Sequence, residues 1–320
     1  MLEILSITGP IFLCIAAGYV ATRLGLFSKA DMRVLGRFVF NLALPALLFS
    51  AVAQRRLAEV INPTYLAAYA GGSVAMIALG YGLSRRLAHR GRADSAIAAM
   101  GVSCSNTGYV GYPILLLVMP PIAGVVLALN FMVENLIALP ILLVLADREA
   151  HAHLSLPAVA RASLGRLATN PMVMAILVGV LFSLTGLRLP EIAGRAVTLF
   201  AAASSATALF VVGGALVGTS LHGLLGKAAP IAVGKLVGHP LAVFAAAWLA
   251  VRLGMPAMEP RLLTGAVLAA AMPMLGVYTI LAQRYGQEEQ SAAALLLTTV
   301  ASFFTLSGLL WLLKMHGALG

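Results

Sequence analysis

Charged residues in this chain fall in short clusters, and between them run apolar stretches of membrane-span length. A helix needs roughly 20 apolar residues to cross about 30 Å of hydrocarbon. Ten stretches fit that pattern: 2–24, 34–54, 64–84, 95–119, 121–146, 171–187, 196–221, 228–252, 262–283 and 291–313. Segments 4 and 5 abut at Pro120-Pro121, where a proline turn divides them. The longest loop, 147–169, is polar and holds Arg148, Arg161, Arg166, His151 and His153. The pattern predicts an all-α membrane protein of ten transmembrane helices.

Composition agrees. Hydrophobic residues make up 61% of the 320 and charged residues only 10%, against about 25% charged in a soluble domain. The N-terminus does not read as a cleaved signal peptide, because it carries Glu3, lacks a basic start and leads into a span-length apolar run. Cys14 and Cys104 both fall in apolar segments and read as small buried hydrophobes, not as a metal site or disulfide framework.

The net charge of +10 is distributed by topology. One set of alternate loops holds Arg23, Lys29, Arg33, Arg37, Arg85, Arg86, Arg90, Arg92, Arg148, Arg161, Arg166, Lys227 and Arg284. The other holds Arg55, Arg56, Arg188, Arg195, Arg252, Arg261 and Lys314. The positive-inside rule puts the richer set in the cytoplasm and both termini on the non-cytoplasmic side. No interleaving of basic and aromatic residues points to nucleic acid.

Five segments per half is an odd number, so the second half enters the membrane the opposite way round. This predicts two inverted five-helix repeats, an architecture common in secondary transporters, over 1–146 and 170–320 with 147–169 as cytoplasmic linker. At an offset of 161, Ile15 matches Ile176, Gly18 matches Gly179, Gly25-Leu26 match Gly186-Leu187, and Leu48-Phe49 match Leu209-Phe210. Composition this biased makes such matches a weak sign by themselves.

Two segments carry breaks. The run Ser103-Cys104-Ser105-Asn106-Thr107-Gly108 through Pro113 interrupts segment 4, and Ala271-Met272-Pro273-Met274-Leu275-Gly276 interrupts segment 9. Pro113 and Pro273 lie 160 residues apart, close to the repeat offset. Proline removes a donor and glycine frees the backbone, and non-helical backbone at membrane depth survives only inside protein or along a watery cavity. Paired breaks predict a binding site made by discontinuous helices. There Ser105, Asn106, Thr107, Gly108, Pro113, Met272, Pro273 and Gly276 would meet a carboxylate with short polar groups and a helix N-terminus. Asn41, before Pro45 in segment 2, marks a third polar break that a plain kink explains equally well.

Few charges lie deep. Glu134 sits about 13 residues into segment 5, roughly 20 Å at 1.5 Å per residue, with Asn130 one turn before it. It is either a neutral, hydrogen-bonded structural carboxyl or a proton-coupling group. Lys235 in segment 8 either snorkels to the headgroups or faces a cavity, as counter-charge for an anion or partner for Glu134. His239 lies one turn deeper on the same face. No G-x-S-x-G, H-E-x-x-H, P-loop or Cys/His metal spacing is present, so an enzyme, a metal site and a bound cofactor are not expected.

The runs Asn41-Leu42-Ala43-Leu44-Pro45-Ala46-Leu47-Leu48-Phe49, Ser105-Asn106-Thr107-Gly108-Tyr109-Val110-Gly111-Tyr112-Pro113, Ala271-Met272-Pro273 with Gly276, and Lys235 to Pro240 resemble the auxin efflux carrier family. That family includes plant PIN auxin exporters and bacterial malonate and malate permeases. The resemblance spans nearly the whole chain. It implies two inverted five-helix repeats in a bile acid–sodium symporter-like fold, with helices of segments 4 and 9 broken and crossing at a central site. It also implies elevator-type alternating access, segments 1, 2, 6 and 7 forming a scaffold, organic anion substrates, homodimers, and a place in the bacterial inner membrane. No pair of acidic sodium ligands stands out, which leaves proton coupling through Glu134 and sodium coupling both open. A sodium-coupled bile-acid-type symporter, an exporter of aromatic or amphipathic acids, and an anion channel are the alternatives. A channel would need a more continuous polar lining than these segments supply.

Overall fold

The computed structural model describes residues 2–53, 55, 61–147, 169–276, 278–283 and 285–317. Nearly all of loop 147–169, with His151 and His153, and the basic residues Arg56 and Arg284 lie outside them. The described residues form twelve helical elements: α1 (Leu2–Arg23), α2 (Lys29–Ala53), α3 (Pro63–Arg86), α4 (Arg92–Ser103), α5 (Thr107–Val118), α6 (Pro120–Ala146), α7 (Pro171–Thr185), α8 (Glu191–Ala215), α9 (Leu225–Arg252), α10 (Pro260–Ala270), α11 (Tyr278–Gln283) and α12 (Glu288–Met315). No strand occurs among the described residues. Among the described residues six elements, α2, α3, α6, α8, α9 and α12, are long and apolar enough to cross a membrane. Segments 4 and 9 appear as pairs of shorter helices, α4–α5 and α10–α11.

Local chemistry sets several ends. At the start of α2, Ser28 Oγ accepts from the Asp31 N–H at 3.2 Å and Asp31 Oδ2 accepts from the Ser28 N–H at 2.8 Å. That reciprocal cap begins the helix at Lys29, five residues before the apolar run itself. The turns after α1 and α7 use Gly25 and Gly186, both left-handed at φ +79° and +67°, where other residues are strained.

Four helices widen by one residue in the same way. The turns Val39–Ala43, Thr107–Gly111, Glu134–Ala138 and Gly234–Gly238 are π-helical. A proline follows each by two residues: Pro45, Pro113, Pro140 and Pro240. A proline ring crowds the carbonyl four residues back, here Asn41, Tyr109, Leu136 or Leu236, the central residue of each widened turn. Widening gives that carbonyl room. In three of the turns the closing bond runs five residues back, from the N–H of Leu44, Leu139 and His239 to the carbonyl of Val39, Glu134 and Gly234.

The chain divides into two compact units. Unit 1 gathers Met1–Asn62, Thr107–Leu129 and Arg166–Val217. Within it α1 lies along α8, and α2 along α7 and α8. The contacts are backbone-close: a Cβ on Gly18 would overlap the Phe210 carbonyl, and one on Gly213 would overlap the Ile15 carbonyl. On the other pair of helices, a Cβ on Gly179 would lie 3.2 Å from the Phe49 carbonyl oxygen. Gly18 and Gly179, and Phe49 and Phe210, are each 161 residues apart. The contact of α1 with α8 is therefore repeated, with the partners exchanged, between α7 and α2.

Unit 2 gathers Pro63–Asn106, Asn130–Gly165 and Gly218–Gly320. Here α3 packs along α9 and α4, and α9 along α10 and α12. Gly72 lets α3 approach α9 closely, since a Cβ there would sit 2.6 Å from Val243 Cα.

Candidate functional site

Unit 2 contains the crossing of the two breaks. After α4 the chain extends through Cys104, Ser105 and Asn106; after α10 it extends through Pro273 to Leu275. Ser105 and Met274 pair as a single antiparallel bridge. The Asn106 N–H donates to the Pro273 carbonyl at 2.8 Å, and the Leu275 N–H to the Cys104 carbonyl at 3.2 Å. Each break thus satisfies part of the other's backbone, as buried non-helical chain requires.

The two deep charges supply further partners. Glu134 Oε1 accepts the Ser105 N–H at 2.9 Å. Lys235 Nζ donates to the Ala270 carbonyl at 2.5 Å, a group that α10 leaves open where it ends. Nζ also donates to Ser105 Oγ at 2.9 Å and meets His239 Nδ1 at 3.1 Å. Ser105 thus links the carboxylate and the ammonium, through its N–H to one and its hydroxyl to the other. Lys235 and His239 are 0% exposed and Glu134 3%, so Lys235 does not snorkel, and its partners lie inside unit 2.

Three side chains of α3 and one of α6 complete the cluster. Tyr69 OH lies 3.2 Å from Ser105 Oγ and 3.4 Å from Glu134 Oε1, its ring edge-on to His239 with centroids 5.6 Å apart. Ser73 Oγ meets His239 Nε2 at 3.0 Å, and Tyr65 OH donates to Asn130 Oδ1 at 2.7 Å. Tyr65, Tyr69 and Ser73 recur every four residues, which places them on one face of α3. That polar stripe in an apolar span was the available signal. The other half of the Asn130 amide, Nδ2, is buried with no hydrogen-bond partner among the described residues.

Of the expected site residues, Ser105, Asn106, Met272, Pro273, Gly276, Lys235, His239 and Glu134 all belong to unit 2. Asn106 and Met272 are buried, and a Cβ on Gly276 would lie 3.7 Å from Asn106 Nδ2. Thr107, Gly108, Pro113 and Asn41 belong to unit 1. There Gly108 faces Leu44, whose Cδ1 would lie 3.1 Å from an added Cβ. Asn41 is exposed, and its amide bonds back to the Arg37 carbonyl at 2.8 Å. The two prolines are not equivalent in place. Pro273 lends its carbonyl to the crossing, whereas Pro113 lies eight residues beyond Ser105, where it follows the widened turn of α5. Among the described residues, no group of three or more His, Cys, Asp or Glu could hold a metal ion.

Six apolar helices of crossing length, with ionisable groups enclosed at interrupted helices, define a multi-pass integral membrane protein. Residues 8–312 match the family described as "Membrane transport protein", and the chain belongs to that family, the auxin efflux carrier family; it is a membrane transporter and not an enzyme. It is 28% identical over 320 residues, covering 100% of this chain and 98% of the relative, to a Rhizobium meliloti (strain 1021) protein named "Putative malonate transporter". It is 26% identical over 314 residues, 92% of each chain, to "Uncharacterized transporter YfdV" of Escherichia coli (strain K12).

Proposed function

We propose that this transporter is a secondary carrier of small organic anions, carboxylates of the malonate or malate type, working by elevator-type alternating access. The crossing of the two breaks in unit 2 carries this reading. It gathers short polar groups and a buried ion-bearing cluster at interrupted helices, the setting in which transporters bind anions. The name borne by the Rhizobium meliloti relative favours a dicarboxylate. Asn106 is the anchor for the substrate carboxylate, and Asn130 Nδ2 offers a buried donor without a partner among the described residues. Lys235 acts on the substrate through its field rather than by contact, since its protons already have partners within unit 2.

Two features support ten crossings in two inverted repeats. The Gly18–Phe210 and Gly179–Phe49 contacts exchange partners at one constant offset, the signature of a two-fold relation. Gly25 and Gly186, at the same offset, terminate α1 and α7 in the same left-handed way. In this reading α1, α2, α7 and α8 form the scaffold and the other helices the moving part. Both termini lie on the non-cytoplasmic side of a bacterial inner membrane, and the carrier assembles as a homodimer.

The test is thermal stabilisation of the purified protein by mono- and dicarboxylates at two pH values. A ligand that binds the folded state at 100 times its Kd adds about 2.7 kcal/mol of stability. Malonate or malate is expected to raise the melting temperature of the wild type, and to do so less for Asn106→Ala. A response confined to aromatic or amphipathic acids would sink the dicarboxylate assignment.

A further inference from the structure

Lys235 is held in a way that an anion-binding lysine is not. An ammonium has three N–H bonds, and three acceptors surround Nζ: Ser105 Oγ at 2.9 Å, the Ala270 carbonyl at 2.5 Å and His239 Nδ1 at 3.1 Å. With Nδ1 accepting, the imidazole proton sits on Nε2, where Ser73 Oγ takes it at 3.0 Å. The side chain is fully enclosed, and all three donors are used.

The acceptors are not an arbitrary set. The Ala270 carbonyl terminates α10, so it stands at the negative end of a helix dipole. Ser105 Oγ belongs to the extended chain between α4 and α5, and the Glu134 carboxylate bonds the N–H of that same serine. A carbonyl, a hydroxyl and a nearby carboxylate make the oxygen-rich surroundings that hard cations seek. Interrupted transporter helices expose this kind of donor to coupling ions, at unwound carbonyls and half-helix C-termini. In unit 2 that place holds the end of a lysine side chain.

We propose that the Lys235 ammonium is a tethered cation: it fills a site whose donors would otherwise take a free monovalent cation, and it makes the crossing of the two breaks independent of sodium. The ammonium draws Ser105 and the end of α10 together on a permanent four-carbon stem, so the site is occupied in every state of the protein. Removing the stem and its charge opens a cation site with Ser105 Oγ, the Ala270 carbonyl and His239 Nδ1 as ligands.

The experiment compares melting of the purified full-length protein in sodium, methylammonium and choline chloride at equal ionic strength, without any anionic substrate. It reads cation binding alone, so it stands or falls separately from the carboxylate assignment. The wild type is expected to melt at the same temperature in all three salts. Lys235→Ala is expected to melt several degrees lower in choline and to regain most of the difference in methylammonium, and part of it in sodium. Lys235→Met, which refills the stem without a charge, is expected to respond to neither. Sodium stabilisation of the wild type would overturn the proposal, as would an equal response of Lys235→Ala to all three salts. If neither variant can be purified, the wild-type comparison still decides, since a tethered cation leaves sodium nothing to add.

Discussion

Unit 1 and unit 2 are built from the same kind of apolar helix but are held together differently. In unit 1 several glycines lie directly against backbone: Gly18 on Phe210, Gly213 on Ile15 and Gly179 on Phe49. In unit 2 glycine still admits a close approach, Gly72 on Val243, yet the centre is polar. Glu134, Lys235, His239, Ser105, Tyr69 and Ser73 there form a continuous hydrogen-bonded path. Close-packed small residues give one rigid arrangement, because any added atom meets backbone. A network that ties interrupted backbone through side chains can exchange partners, including for a substrate. Under the proposed mechanism, that is the difference between a frame and the part that binds.

The largest effect should come from filling a glycine contact in unit 1. Gly213→Leu places carbon where the Ile15 carbonyl stands and should cost on the order of 4 kcal/mol, measured as loss of monodisperse protein or a collapse of the melting temperature. A variant that melts like the wild type would show that α1 and α8 are not held by this contact.

A sharper and smaller effect should come from unit 2. Glu134→Gln keeps a carbonyl oxygen for the Ser105 N–H, so folding should persist while the carboxylate loses its titration. If this carboxylate couples protons, uptake should rise as the external solution is acidified in the wild type and lose that rise in the variant. An unchanged pH profile would remove Glu134 from coupling and leave it a structural partner of the break.

Smallest of all should be Asn41→Ala in unit 1. Its amide is exposed and returns to its own helix at the Arg37 carbonyl, so stability should change by about 0.5 kcal/mol or less, with uptake intact. Strongly reduced uptake would add Asn41 to the site and weaken the division of labour between the units.

Much of this was legible in the chain itself. A charge in a long apolar run is visible wherever it falls, which is why Glu134, Lys235 and His239 stood out. The breaks were visible because proline and glycine punctuate. Their pairing was less visible. Counting from proline to proline aligned Pro113 with Pro273, whereas the chains meet at Ser105 and Met274. The reason is that a proline marks the widened turn before it, and only in segment 9 does it coincide with the crossing. The partners of Lys235 were hidden for another reason: one is the Ala270 carbonyl, and backbone groups carry no residue-type signal. Tyr65, Tyr69 and Ser73 escaped because a tyrosine counts as apolar until its hydroxyl is given a partner.

Ser105, linking a carboxylate on one side to an ammonium on the other, also has an electrical consequence. Moving one elementary charge through a membrane potential takes about 2.3 kcal/mol per 100 mV. With Glu134 at −1 and Lys235 at +1, the pair sums to zero. In a carrier whose moving part holds this pair, the pair itself would do no work against the voltage on the empty return. While the pair stays neutral, the field acts on the cargo alone, so a substrate's own charge decides which way the membrane potential drives it; a proton carried on Glu134 would add one positive charge to that sum.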